Sequence, residues 1–69
     1  MAINFNNHYA EIDTDTGECL GVFSTNVTID DPHIIEIPVR DDEYVGKYYI
    51  NGEWYEDAEG TIPWQSSLI

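Results

Sequence analysis

Two short aromatic runs separated by Asn51-Gly52 constrain this chain more than any other feature. Lys47-Tyr48-Tyr49-Ile50 precedes the pair and Glu53-Trp54-Tyr55-Glu56 follows it. A type I′ turn needs positive φ at both central residues, which asparagine and glycine tolerate best, so the pattern predicts a two-residue β-hairpin. That loop length sets the register: Ile50 opposes Glu53, Tyr49 opposes Trp54, Tyr48 opposes Tyr55 and Lys47 opposes Glu56. Side chains alternate across a strand, so Tyr49 and Trp54 share one face with Lys47 and Glu56. Tyr48 and Tyr55 share the other with Ile50 and Glu53. Both faces are aromatic: one can cover a core, and the other needs the tail, a neighbour or a ligand to cap it.

β signals recur elsewhere and helical periodicity is almost absent. His8-Tyr9-Ala10-Glu11-Ile12-Asp13 alternates, Thr14-Asp15-Thr16-Gly17 reads as a turn, and Glu18-Cys19-Leu20-Gly21-Val22-Phe23 continues as a strand. Gly17 suits the positive-φ position of a hairpin with a bulge, and Ala10, Ile12, Leu20 and Val22 form the expected inward set. Residues 24–32 read as a connection. His33-Ile34-Ile35-Glu36-Ile37-Pro38-Val39 is a third strand that turns Ile35 and Ile37, or Ile34, to the core. Pro38 cannot donate to a ladder, so this strand ends there or lies at an edge. Asp41-Asp42-Glu43-Tyr44-Val45-Gly46 predicts one helical turn, capped by Asp41 and ended by Gly46. From Asp57 to Ile69 alternation is lost, although Ile62, Trp64, Leu68 and Ile69 are apolar. Pro63 fixes its own φ and biases Ile62 toward extension, so this segment predicts an extended arm.

Sixty-nine residues allow one modest core. A chain of this size buries only about 60% of the surface it exposes when unfolded, and small scaffolds usually add disulfides, a structural metal or oligomerisation. Cys19 is the only cysteine, so no intrachain disulfide forms, and a zinc site would have to rest on Cys19, His8, His33 and carboxylates. Oligomerisation, or docking on a larger partner, remains. Fourteen Asp and Glu stand against Lys47 and Arg40, for a net charge of -12. Such a balance disfavours direct nucleic-acid binding and anionic membrane surfaces. A basic protein partner, a cation or mimicry of a polyanion fits it, as does the simpler role of keeping a small protein in solution. With 42% apolar and 13% aromatic residues the chain is no disordered acidic tail. The start, MAINFNN, lacks the basic and apolar regions of a signal peptide, and no apolar run approaches the ~20 residues of a membrane span.

Chemistry-bearing motifs are few. Asp13-x-Asp15-x-Gly17 has the carboxylates of a calcium loop, but glycine stands fifth, Glu18 sixth and Ser24 twelfth, so the spacing fits a turn with solvated acids. Cys19 lies mid-strand with no activating neighbour in sequence, and His8 and His33 have no partner suggested by spacing. No catalytic residue, cofactor site or metal site is expected. The acids Asp30, Asp31, Asp41, Asp42, Glu43, Glu53, Glu56, Asp57 and Glu59 could imitate a phosphate track, whereas charge runs are usually solvated faces. The aromatics can anchor an interface or build the core, and two aromatic hairpin faces predict some of each.

The spacing of Ile34-Ile35-Glu36-Ile37-Pro38, Gly46-Lys47-Tyr48-Tyr49 and Gly52-Glu53-Trp54 resembles short virion- or tail-associated proteins of tailed bacteriophages, including phages of cyanobacteria. The resemblance covers about residues 34–56. It implies a structural or adhesion-related part with no catalytic residues to carry over.

These readings give a mostly β chain: a small antiparallel sheet of two hairpins plus a linking strand, at most one short helical turn, and an extended C-terminal arm. A β domain is expected over 1–56 and the arm over 57–69. The expected function is a non-enzymatic virion or tail component, made in the cytoplasm, that binds protein subunits, its own or other virion proteins, without nucleic acid or membrane. Tyr49, Trp54, Ile62, Trp64, Leu68 and Ile69 are the expected contacts, with Trp64 as anchor. The alternative is an acidic inhibitor that mimics nucleic acid on a basic host protein. The arm has two possible seats, the exposed hairpin face or another subunit, and the second is the expectation.

Overall fold

The computed structural model describes residues 6–69. Segment 1–5, the beginning of the start read above as lacking a leader pattern, lies outside the described residues. Five strands and one turn of 3-10 helix follow one another: β1 (Asn7–Ile12), β2 (Cys19–Thr25), β3 (Ile34–Ile37), the helical turn (Asp42–Tyr44), β4 (Tyr48–Ile50) and β5 (Glu53–Tyr55). They form a three-stranded sheet ordered β2-β1-β3 and a two-stranded sheet β4-β5, with every pairing antiparallel. No helix among the described residues is long and apolar enough to cross a membrane.

β1 and β2 form the first expected hairpin. Gly17, at φ 80°, supplies the positive φ, and the Asp13 N–H donates to the Glu18 carbonyl at 2.8 Å. The inward set differs from expectation at one position. Pairing steps from Glu11 opposite Gly21 to Ile12 opposite Cys19, which leaves Leu20 unmatched as an extra residue. Alternation is broken there, so Leu20 is 55% exposed and Cys19 is 1% exposed. Ala10, opposite Val22 and Ile35, lies at the centre of the core face. On the opposite face Tyr9 packs on Phe23, and its hydroxyl accepts the Ile29 N–H of the 26–32 connection. β3 stops at Ile37 before Pro38 and forms an outer strand, as a proline there requires.

The expected helical turn forms, with the Asp41 carboxylate accepting the Glu43 N–H and Gly46 leaving at φ 89°. Beyond it the expected hairpin has its expected register, with Asn51 at φ 51° and Gly52 at φ 85°. The two sheets are joined by backbone. The Cys19 N–H donates to the Lys47 carbonyl at 2.8 Å, the Tyr49 N–H to the Gly17 carbonyl at 2.8 Å, and the Gly46 N–H to the Cys19 carbonyl at 3.0 Å. The chain entering β2 therefore occupies the open side of β4. Ala10, Cys19, Ile37 and Tyr44 make the buried core between the sheets, with Val22, Trp54 and Trp64 packed against it.

The arm takes its first seat rather than the expected second. The Asp57 carboxylate accepts the N–H groups of Thr61 and Ile62 and the Thr61 hydroxyl, and Gly60 turns the chain at φ 70°. This local loop reverses the chain before it can extend away. Pro63 then bridges to Tyr55, the Glu56 N–H donates to the Ile62 carbonyl at 2.8 Å, and the Trp64 N–H to the Trp54 carbonyl at 3.0 Å. Gly60 lies against Ile50 and Tyr55, so the loop caps the second aromatic face of the hairpin.

The outer strands differ in their protection. β3 is flanked by Pro32 and Pro38 and carries Glu36, whereas β2 holds no charge or proline. Charges and prolines are the usual means of blunting an edge strand.

Gly17 tests the joint. A Cβ there would lie 2.6 Å from the Tyr49 carbonyl oxygen, a backbone atom, at a φ that side chains rarely adopt. Gly17→Ala should lower stability by at least about 1–3 kcal/mol, the usual cost of such strain. Gly52→Ala, with nothing within 4 Å, should lose less. Chemical denaturation of the two variants compares them directly, and equal losses would place the strain in φ alone.

Candidate functional site

Tyr44 is the centre of the aromatic assembly. The helical turn directs its ring between the sheets, where it is buried and meets Trp54 edge-to-face at 4.9 Å and Trp64 edge-to-face at 4.8 Å. Tyr49 stacks obliquely on Trp54 at 5.1 Å, as its cross-strand position demands. Edge-to-face rings place the positive rim of one against the negative face of another, which stabilises them by about 0.5–1.5 kcal/mol per pair beyond burial. Lys47 holds its Nζ 5.2 Å from the centroid of Trp64.

A cleft of about 280 Å³ opens over this cluster. Tyr44, Tyr49, Trp54 and Trp64 line it from the hairpin side, with Glu36 and Pro38 of the β3 end, Gly52 of the tight turn, and Gln65, Ser66 and Ile69 of the arm. The structure thus brings Tyr49, Trp54, Trp64 and Ile69 together from the expected contact set. Ile62 and Leu68 are exposed but do not line the cleft. Trp64 is not a free anchor: its ring packs on Tyr44, because the Asp57 loop returns the chain to β5. Tyr44, Glu36, Pro38, Gly52, Gln65 and Ser66 were not expected. Tyr44 carried one readable signal, as the lone aromatic inside a capped helical turn.

One buried ionisable group stands behind the cleft. Asp41 is 7% exposed and Ser66 3% exposed, and the Ser66 hydroxyl donates to the Asp41 carboxylate, which also accepts the Glu43 N–H at 2.9 Å. The Ser66 hydrogen bond, then that of Glu43, holds the carboxyl below the ordinary aspartate range against the opposing effect of burial. With the packing of Trp64 on Tyr44, this contact fixes the arm to the helical turn.

The remaining reactive groups do not converge. Burial pushes the Cys19 thiol up, and Glu11 and Glu18 add to this, so little thiolate forms. His8 Nδ1 lies 2.7 Å from Ser24 Oγ, and His33 pairs with Asp31 at 2.9 Å on the surface. The Asp13 carboxylate accepts the Asp15 N–H, which is turn chemistry. Among the described residues no three His, Cys, Asp or Glu side chains gather as metal ligands would.

Ser66→Ala tests the Asp41 latch through its pH dependence. A carboxyl whose folded pKa is depressed contributes stability above its unfolded pKa, and that contribution is lost as pH falls through the folded value. The loss caused by Ser66→Ala should therefore be full at pH 7 and shrink below about pH 4, where aspartate protonates in the unfolded chain. Thermal unfolding at pH 7 and pH 3 measures the two gaps. Equal gaps would show that the bond does not depend on the charge.

Comparison with protein-family models, with curated proteins and with solved structures finds no match to this chain.

Proposed function

We propose that this chain is a non-enzymatic docking protein, a virion or tail accessory component of a phage that binds other structural subunits through the aromatic cleft and the exposed end of the arm. The observation that carries the reading is the cleft itself: four aromatic side chains line one concave surface, and Leu68 and Ile69 remain exposed in the arm that borders it. Tyrosine and tryptophan contribute much contact area for little side-chain entropy, which is why they dominate interface energetics. The phage resemblance adds support of its own kind. Glu36, Pro38, Tyr49, Gly52 and Trp54, all within the resembling segment, are cleft residues.

A second reading, the acidic inhibitor of a basic host surface, is favoured by the charge arrangement. All fourteen acids lie among the described residues, and none of them pairs with Lys47 or Arg40, the single ion pair there being His33 with Asp31. Unpaired surface carboxylates are available to a basic partner, and their attraction is screened within about 8–10 Å at physiological salt.

Affinity capture separates the readings. The whole chain, Tyr49→Ala and a chain ending at residue 66 are immobilised and challenged with an infected-cell lysate at low and high salt. Docking on subunits predicts virion proteins held through high salt, and lost with Tyr49→Ala or with removal of residues 67–69. The inhibitor reading predicts a nucleic-acid-binding host protein released by salt and indifferent to both changes. Removal of residues 67–69 also removes the Leu68 N–H bond to Ser66 Oγ and puts a new terminal carboxylate beside Asp41, so the thermal midpoint of the shortened chain is measured alongside its capture. Wild-type and variant captures that are identical at both salts would overturn the docking reading.

A further inference from the structure

We propose that the aromatic cleft is an arginine site, which takes the guanidinium of one arginine from the partner protein. The proposal rests on the docking reading and names the chemistry of the contact.

Its first support is a charge without a counter-charge. Buried carboxylates are ordinarily hydrogen-bonded and often also paired with a cation. Asp41 accepts hydrogen bonds from Ser66 and Glu43 and forms no ion pair. Ser66 is a wall of the cleft, so the negative charge sits one hydrogen bond behind its surface. Glu36 at the end of β3 also lines the cleft. Among the described residues neither of the two basic side chains fills the cleft: Lys47 lies over Trp64, and Arg40 does not line it.

The rings supply the second support. Aromatic faces are negative and attract cations, most strongly at tryptophan. The contact of Lys47 with Trp64 shows that this cluster already holds an ammonium in that geometry. A guanidinium suits flat aromatic walls better than an ammonium, since it is planar, stacks, and gives up its hydration more readily. Its fork of N–H donors also suits side chains of the kind that Glu36 and Gln65 contribute to the lining. The volume, about 280 Å³, lies just below the range of about 300–1,000 Å³ typical of small-molecule pockets, and so suits a single side chain. A net charge of -12 would steer a basic segment toward this surface before contact. A proline-rich or plainly apolar segment is the competing occupant, and it would use the rings without needing the carboxylates.

The test pairs two capped tripeptides, Gly-Arg-Gly and Gly-citrulline-Gly, which share shape and differ in charge. Each is titrated into the full chain while the indole N–H signals of Trp54 and Trp64 are followed by NMR. Saturable shifts with the arginine peptide, and binding about tenfold weaker with citrulline, are expected. Glu36→Gln, at an exposed position, and Asp41→Asn, which keeps an acceptor for Ser66, should each weaken the arginine peptide several-fold and leave citrulline unchanged. Equal binding of the two peptides, or no indole shift from either at millimolar concentration, overturns the proposal. The capture experiment fails separately. A partner lost with Tyr49→Ala while both peptides bind alike removes the arginine alone; a partner retained by Tyr49→Ala while the arginine peptide still binds removes the docking reading alone.

Discussion

The structure depends on three backbone hydrogen bonds through which the chain entering β2 reaches β4 and the segment before it. Cys19 donates to Lys47, Tyr49 to Gly17, and Gly46 to Cys19. A two-stranded hairpin alone is marginal in water, and a three-stranded sheet with one apolar face still needs that face covered. The joint solves both problems, because it gives β4 a neighbour and lays the Tyr49 and Trp54 face of the hairpin over Ala10, Cys19 and Ile37. Gly17 is its hinge. The close approach of the Tyr49 carbonyl leaves no room for a side chain, so the joint and the absence of a Cβ require each other.

From this joint the cleft follows. The hairpin gives Tyr49 and Trp54, the helical turn gives Tyr44, and the strap from residue 62 to 66 extends β5 and adds Trp64 and Ser66. Each element is too short to form a core alone. The aromatic rings, with about 5 Å between centroids, take the place of the aliphatic packing that a longer chain would use. A core built this way keeps ring surface at its rim, and the same residues then serve stability and recognition.

What could be read from sequence was local. Asn51-Gly52 determines φ and register within four residues, and Asp41 to Gly46 carries its own cap and stop, so both elements followed from the chain itself. The placement of Leu20 did not, because the bulge depends on Gly17 and Cys19 meeting Tyr49 and Lys47, roughly thirty positions away. Without that contact, strict alternation points Leu20 inward. Nor was the pairing of Asp41 with Ser66, twenty-five residues apart, visible in either local pattern. The return of the arm was partly legible: Asp57 followed by Gly60 and Thr61 has the composition of a side-chain-closed loop. The lack of strand periodicity after Asp57 concealed it, since three residues bridging to β5 are too few to show alternation. The cleft draws walls from β3, the hairpin and the arm at once, and so only its hairpin and arm members were foreseeable.

The unguarded edge of β2 gives the acidic surface another consequence. Cys19 to Ile29 is an eleven-residue stretch without a charged side chain, and beyond Cys19, which bonds Gly46 and Lys47, its strand lies at an outer edge of the kind that proline and charge protect on β3. What keeps two such edges apart is then the repulsion of whole molecules, a delocalised barrier rather than a local one. That barrier falls as pH approaches the isoelectric point of about 4.1. Mild acid would therefore weaken the barrier, and edge-to-edge pairing of native sheets is the contact that it opposes. Light scattering between pH 7 and pH 4 would register its onset.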